Sequence, residues 1–303
     1  TANTNDRANK DKINSIVCEV IMAEEIDIVS ETEQLKDYWH DRDIQIEADR
    51  SIIALDKPVP VADKIKWVSN EPKVFYDTSV ALISSYPPRF RLPLSINFEA
   101  EEKEKMAKTE RFILGIWRSL DARQYNRGQT YWLRELAYWV LSGWYSVFCL
   151  VKKEGDNVDF IADLWDPKTV YPEWDSEGLV KCIRTFSTDK RTAKSMVYTW
   201  QSKGLETEFA EPSTETVKII NYWVKRGNEC FNAILVGDQT VKKLTKEPYD
   251  HIPIHIGTVG IPEKSTLDWP KRAGENIIAA DRDMYAYRNI LISLLVTIMA
   301  ETA

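Results

Sequence analysis

Four carboxylates, Asp163, Asp166, Glu173 and Asp175, fall within ADLWDPKTVYPEWD, interleaved with Trp165 and Trp174. Two carboxyl groups across an open cleft, with tryptophan rings beside them, can hold a sugar and cleave its glycosidic bond. Acids next to proline also shape turns, and that role competes with catalysis here. His251 and His255, in HIPIH, form the closest histidine pair. On a strand they share a face but stand ~13 Å apart along it, too far for one metal ion without further ligands. No GxSxG string or activated cysteine is present to suggest a nucleophile. GTVGIP has two glycines but lacks the spacing of a phosphate loop. No cofactor or metal is expected.

The elements that would position these residues change character along the chain. Residues 1–50 read as an acidic N-terminal arm, with ten acids against Lys36, Arg42 and Arg50 between Ile21 and Arg50. Residues 51–71 carry short apolar pieces broken by Pro58 and Pro60, as in extended structure. The spacing predicts helices over 76–86, stopped by Pro87-Pro88, over 98–120, and over 129–142. At Gly143 the apolar period changes from 3.6 to 2, and SVFCLVKK, GDN and VDFIADL read as a hairpin. Further strands are expected at 169–174, 179–186, 195–201, 217–225, 230–236 and 252–259. Residues 272–303 return to helix, with Ile277, Ala280, Met284, Tyr287, Leu291, Leu294 and Ile298 in steps of three and four. Such a seam packs on other helices, leaving Glu275, Arg282 and Asp283 nearer to solvent or neighbouring subunits. The fold class is therefore α+β by segregation.

The acids total 47 and the bases 40. The acidic segment holds that whole surplus, and the remainder balances at 37 of each. No general basic field is left to grip a nucleic acid. Ile290–Ala300, interrupted by Ser293 and Thr297, falls short of the ~18–20 residues that cross a bilayer. Cys18, Cys149, Cys182 and Cys230 are widely spaced and fit reduced, buried thiols better than a disulfide framework. No secretory signal is visible at the N-terminus. Ala303 falls inside a helical pattern without a cap, which reads as a chain that continues. Eleven tryptophans, with Trp117, Trp132 and Trp139 on helical seams, suggest core packing or subunit contact before ligand stacking.

The order of these pieces resembles the tailed-bacteriophage portal proteins, from about Lys73 to Ala303. The likeness is carried by VALISSYPPRF, then by LRELAYWVLSGWYSVFCLVKK, a helix that runs through a glycine into a hairpin. It continues in IADLWDPKTVYPEWDSEGLVKCIRTF and in HIPIHIGTVGIP, and ends in the long helix bearing Asn289 and Ser293. The resemblance implies a portal-type wing domain over 51–270, helical at 73–142 and β-rich at 143–260. A stem helix would start at 271–303, with Ile277, Met284, Tyr287, Leu291, Leu294 and Ile298 as its packing or subunit-interface residues. Clip, second stem helix, tunnel loop and crown would lie beyond Ala303. It also implies a structural, non-enzymatic subunit of a homo-oligomeric ring of about twelve copies at a capsid vertex of the virion, assembled in the host cytoplasm. Its partners would be the major capsid protein, the terminase motor and head-tail adaptor or tail proteins, with double-stranded DNA passing non-specifically and no membrane. The residues themselves leave open a Trp-rich carbohydrate-active enzyme or sugar-binding module, and a scaffold or adaptor of another assembly.

Overall fold

The computed structural model describes residues 27–56, 65–86, 88–92, 100–154, 157–201, 214–259 and 274–302. Helices α1 (Ile28–Tyr38) and α2 (His40–Ala54) open the described chain, followed by α3 (Glu71–Ser84), α4 (Ala100–Asn126) and α5 (Trp132–Leu141). Strands β1 (Trp144–Glu154), β2 (Asn157–Leu164), β3 (Val170–Trp174) and β4 (Leu179–Asp189) come next, then helix α6 (Lys190–Gln201). Strands β5 (Thr216–Arg226), β6 (Glu229–Val236), β7 (Gln239–Glu247) and β8 (Ile254–Thr258) precede the last helix, α7 (Arg282–Thr302). The fold is α+β, helices with antiparallel sheets, and helix α6 interrupts the strand-rich stretch between β4 and β5.

Two antiparallel sheets organise the core, a small one in the order β2-β1-β8 and a larger one in the order β3-β4-β5-β6-β7. Strand alternation in β1 sends Val147 and Cys149 toward Leu120 and Trp132 of the α4–α5 pair. The opposite parity carries Trp144 into the cluster on one face of the large sheet, with Ile183, Ile220 and Tyr222. Phe148 joins the cluster on the other face, stacked on Trp165 at 4.7 Å beside Cys182 and Trp223. The chain turns from α5 into β1 at Gly143, whose φ of +97° is left-handed; a Cβ there would approach the Gly274 backbone to 2.8 Å. That close passage brings the entry to α7 against the start of β1, where Ile277 N–H donates to Leu141 O at 3.0 Å.

The acidic segment is not a peripheral arm over its described part. Trp39 is 0% exposed and packs with Ile46 on the large sheet. Its indole N–H donates to Pro172 O at 2.9 Å, and the Arg42 guanidinium donates to Val170 O at 2.9 Å. These two carbonyls belong to β3, the edge strand, so α2 occupies the place of a further strand with side-chain donors. Asp27, Glu33, Asp37, Asp41 and Glu47 stay exposed while Asp49 is buried, so composition, dominated by the outward acids, suggested a solvated arm.

The strand expected over 195–201 is instead part of α6. Asp189 caps it by accepting from the backbone N–H of Thr192 at 2.9 Å, and Ala193, Met196, Val197 and Trp200 pack inward at helical spacing. Met196, Tyr198 and Trp200 mimic alternation, but the inward set follows the period of 3.6. Strand β7 was missed because only Val241 and Leu244 interrupt its lysines and threonines, the composition of a protected edge strand. Helix α7 begins at Arg282 rather than 272; Ile277 lies in the turn before it, partly buried with Tyr76 and Val80.

Candidate functional site

Helix α7 carries the residues singled out by their spacing, and its two faces are distributed differently from that reading. Met284, Tyr287, Leu291, Leu294 and Ile298 are all solvent-exposed in the protomer, Leu291 to 67%. Leu295 and Met299 widen the same apolar row. The face turned toward the protein includes Tyr285, Asn289, Ile292, Ser293, Val296 and Thr297. The seam is therefore displaced around the helix from the expected burial, and Ile277 alone of the six packs inside.

The physical reason lies in an extended segment beside the helix. Ile65 N–H donates to Thr297 Oγ1 at 2.9 Å, Trp67 N–H to Ser293 Oγ at 3.0 Å, and Ser69 N–H to Asn289 Oδ1 at 3.0 Å. Alternate residues of an extended chain thus meet every fourth residue of a helix, so the polar stripe Asn289, Ser293 and Thr297 satisfies backbone that has no strand partner there. The spacing of these three was visible in the sequence, and reading Ser293 and Thr297 only as interruptions of an apolar run concealed it.

Two ion pairs hold α7 near its start. Arg282 pairs with the buried Asp49 of α2, at 2.8 Å for one of the two contacts. This corrects the expectation that Arg282 faces solvent; Asp283 and Glu275 do face it. Arg288 forks onto both carboxylate oxygens of Glu71 at the first turn of α3. Asn276 Oδ1 accepts from Ile278 N–H at 3.1 Å and stiffens the turn before the helix.

The four carboxylates that suggested glycoside hydrolysis each have a structural neighbour. Asp163 pairs with Arg127 at 2.8 Å. Asp166 receives the Arg50 guanidinium and the Lys168 N–H, capping the 3₁₀ turn at Pro167–Thr169. Glu173 pairs with Lys181 at 3.1 Å, and Asp175 accepts from the N–H groups of Glu177 and Gly178. Only His255 lies in a strand; His251 sits outside β8, exposed and paired with Asp250. Among the described residues no three His, Cys, Asp or Glu side chains come together to hold a metal ion.

Burial shifts the three described cysteines and Arg184. It pushes the thiol of Cys182 far above its usual range and that of Cys230 up to about 11. Cys149 is raised for the same reason, and Cys18 lies outside the described residues. Arg184 is lowered to about 10 by burial. Its guanidinium lies 4.2 Å from the Trp165 ring centroid and 4.5 Å from that of Phe186, and its Nε has no hydrogen-bond partner.

No helix among the described residues is long and apolar enough to cross a membrane. Neither the protein-family models nor the curated proteins with which the chain was compared give a match.

Proposed function

We propose that this chain is a subunit of a tailed-phage portal, a ring at one capsid vertex through which genomic DNA is packaged and ejected. The observation that carries the proposal is the exposed apolar row of α7. From Met284 to Met299 it runs ~22 Å along the helix, its members in steps of three and four, and it faces solvent in the single chain. A row of that length marks an interaction surface, and the seven-residue rhythm suits another helix. In this reading the partner helix belongs to the next of about twelve identical subunits, related by rotation in a closed ring. The element order, a helix pair, a glycine, a hairpin, further antiparallel strands and a long helix, is the order this reading expects of a wing leading into a first stem helix.

The role is geometric rather than chemical. Balanced charge outside the acidic segment suits a channel wall along which a polyanion slides without being gripped. The major capsid protein, the terminase motor and head-tail adaptor or tail proteins are the partners this reading implies, in the virion and with no cofactor. The alternative of a sugar-cleaving enzyme gains nothing from the acids around Asp166, which are engaged by Arg127, Arg50, Lys181 and turn N–H groups.

The test is Leu291→Asp in α7. Because Leu291 is exposed in the protomer, the substitution is expected to leave protomer unfolding within ~0.5 kcal/mol of the parent. Within an assembled ring it would bury an unpaired charge and abolish assembly. Native mass measurement and negative-stain images of the protein read the outcome. A parent protein that stays monomeric, or a ring indifferent to Leu291→Asp, overturns the proposal.

A further inference from the structure

An open groove of about 960 Å³ lies between the outer face of α1 and the turn that joins β3 to β4. Two aromatic rings line it, Tyr38 at 54% and Trp174 at 36% exposure. Both rest edge-on against the buried Trp39, at 5.2 Å and 89° for Tyr38 and 6.0 Å and 80° for Trp174. Glu31, Glu173, Asp175 and Glu177 also line the groove, against the single cation Lys181, four charges to one. Lys181 is already held by Glu31 at 3.0 Å and Glu173 at 3.1 Å. Asp175 uses one oxygen, Oδ1, for the turn N–H groups, and no described residue pairs with the exposed Glu177 carboxylate.

We propose that this groove binds a short basic peptide segment through a guanidinium or ammonium group, laid against Tyr38 and Trp174 and met by Glu177 and Oδ2 of Asp175. Aromatic faces attract a cation, Arg above all, and adjacent carboxylates fix it. The volume lies in the range that holds a ligand of several side chains. A neutral sugar would make no use of the excess negative charge. The protein already holds one guanidinium this way: Arg42 lies 4.9 Å from the Trp39 ring centroid, 5.3 Å from that of Trp144 and 5.2 Å from that of Tyr171. Binding would go through side chains rather than strand addition, because Trp39 and Arg42 already take the β3 carbonyls of Pro172 and Val170. The inference stands on the groove alone and is independent of the ring reading.

The experiment is isothermal titration of the full chain at low salt with three probes: an acetylated, amidated Arg-Gly-Arg-Gly-Arg peptide, the same peptide with citrulline for arginine, and maltohexaose. The arginine peptide is expected to bind, with affinity that falls as salt rises, and the citrulline peptide at least about fivefold more weakly. Glu177→Gln and Tyr38→Ala should each weaken the arginine peptide by roughly two- to fivefold while the melting temperature holds. Equal affinity for the two peptides, indifference to both substitutions, or no arginine-peptide binding at millimolar concentration overturns the proposal. Maltohexaose binding in place of the arginine peptide overturns it in favour of a sugar site.

Discussion

Arg42→Met removes the guanidinium that α2 sends into the core. Arg42 is 1% exposed, donates to Val170 O at 2.9 Å and to Asp43 at 2.8 and 3.0 Å, and lies over three aromatic rings. A hydrogen bond from a charged donor contributes about 1.5–3 kcal/mol. The ring contacts add about 0.5–1 kcal/mol each. Methionine keeps much of the stem's volume and relieves the cost of desolvating the charge, which offsets part of that sum. What remains unanswered is a buried Val170 carbonyl and an Asp43 carboxylate reduced to the Tyr171 hydroxyl at 3.0 Å. A net loss of about 3 kcal/mol is expected, in line with breaking a buried ion pair from one side. Urea unfolding at pH 7, followed by tryptophan fluorescence, reads it as a lower midpoint at unchanged slope. If the segment around Arg42 were a peripheral arm, the change would stay within ~0.5 kcal/mol. A loss below ~1 kcal/mol would refute the argument that α2 caps the β3 edge.

Arg184→Met provides the contrast: this half-buried guanidinium has an unpartnered Nε and stacks on two rings, with Asp163 and Asp166 attracting it without a hydrogen bond, so its removal should cost less than ~1 kcal/mol in the same titration. A cost near that of Arg42→Met would mean the ring contacts outweigh desolvation. Burial raises the Glu135 carboxyl above the ordinary range, although Gln124 Nε2 donates to it at 2.7 Å. The folded state therefore holds this proton more tightly than the unfolded chain does. Its contribution to stability is fully present below the unfolded pKa of ~4.3 and is lost as pH rises through the folded value. Glu135→Gln should melt with the parent at the acid end and above it at pH 7; a gap that does not widen with pH refutes this. Cys182 and Cys230 should resist iodoacetamide at pH 8 in the folded protein, since burial keeps both as thiols. Peptide mass mapping that finds either alkylated before unfolding would contradict their placement.

The elements legible in the sequence were those whose apolar pattern is set by packing. Strands β4, β5 and β6 bury residues on both faces and show as short apolar runs between turn residues, and the helices at α3, α4 and α5 repeat their inward residues at 3.6. Where a helix borrows polar partners, the pattern misleads. In α7 the inward stripe is half hydroxyl and amide, so the more apolar row looked like the buried one although it lies outward. Trp39 and Arg42 sit among acids that face water, and no local signal says that a guanidinium will cover a strand edge some 130 positions away. The turn duties of Asp166 and Asp175 were legible from their neighbours, Pro167 and Gly178, because those contacts are local.

The contact between residues 65–69 and α7 also works as a pair of rulers with nearly equal divisions. Two residues of extended chain advance ~6.6 Å, and four residues of helix advance ~6.0 Å. The mismatch of ~0.6 Å per rung is absorbed by side-chain rotation over three rungs but would approach ~2 Å at a fourth, beyond hydrogen-bond tolerance. The three bonds are thus close to the longest such ladder a straight helix can support, and a one-turn slip of ~5.4 Å would break all of them together. Helix α7 cannot slide along its axis while that segment stays in place. Because Ser69 leads directly into α3, which Glu71 and Arg288 also tie to α7, the two helices form a single lever, and a push along one is delivered to the other without slack.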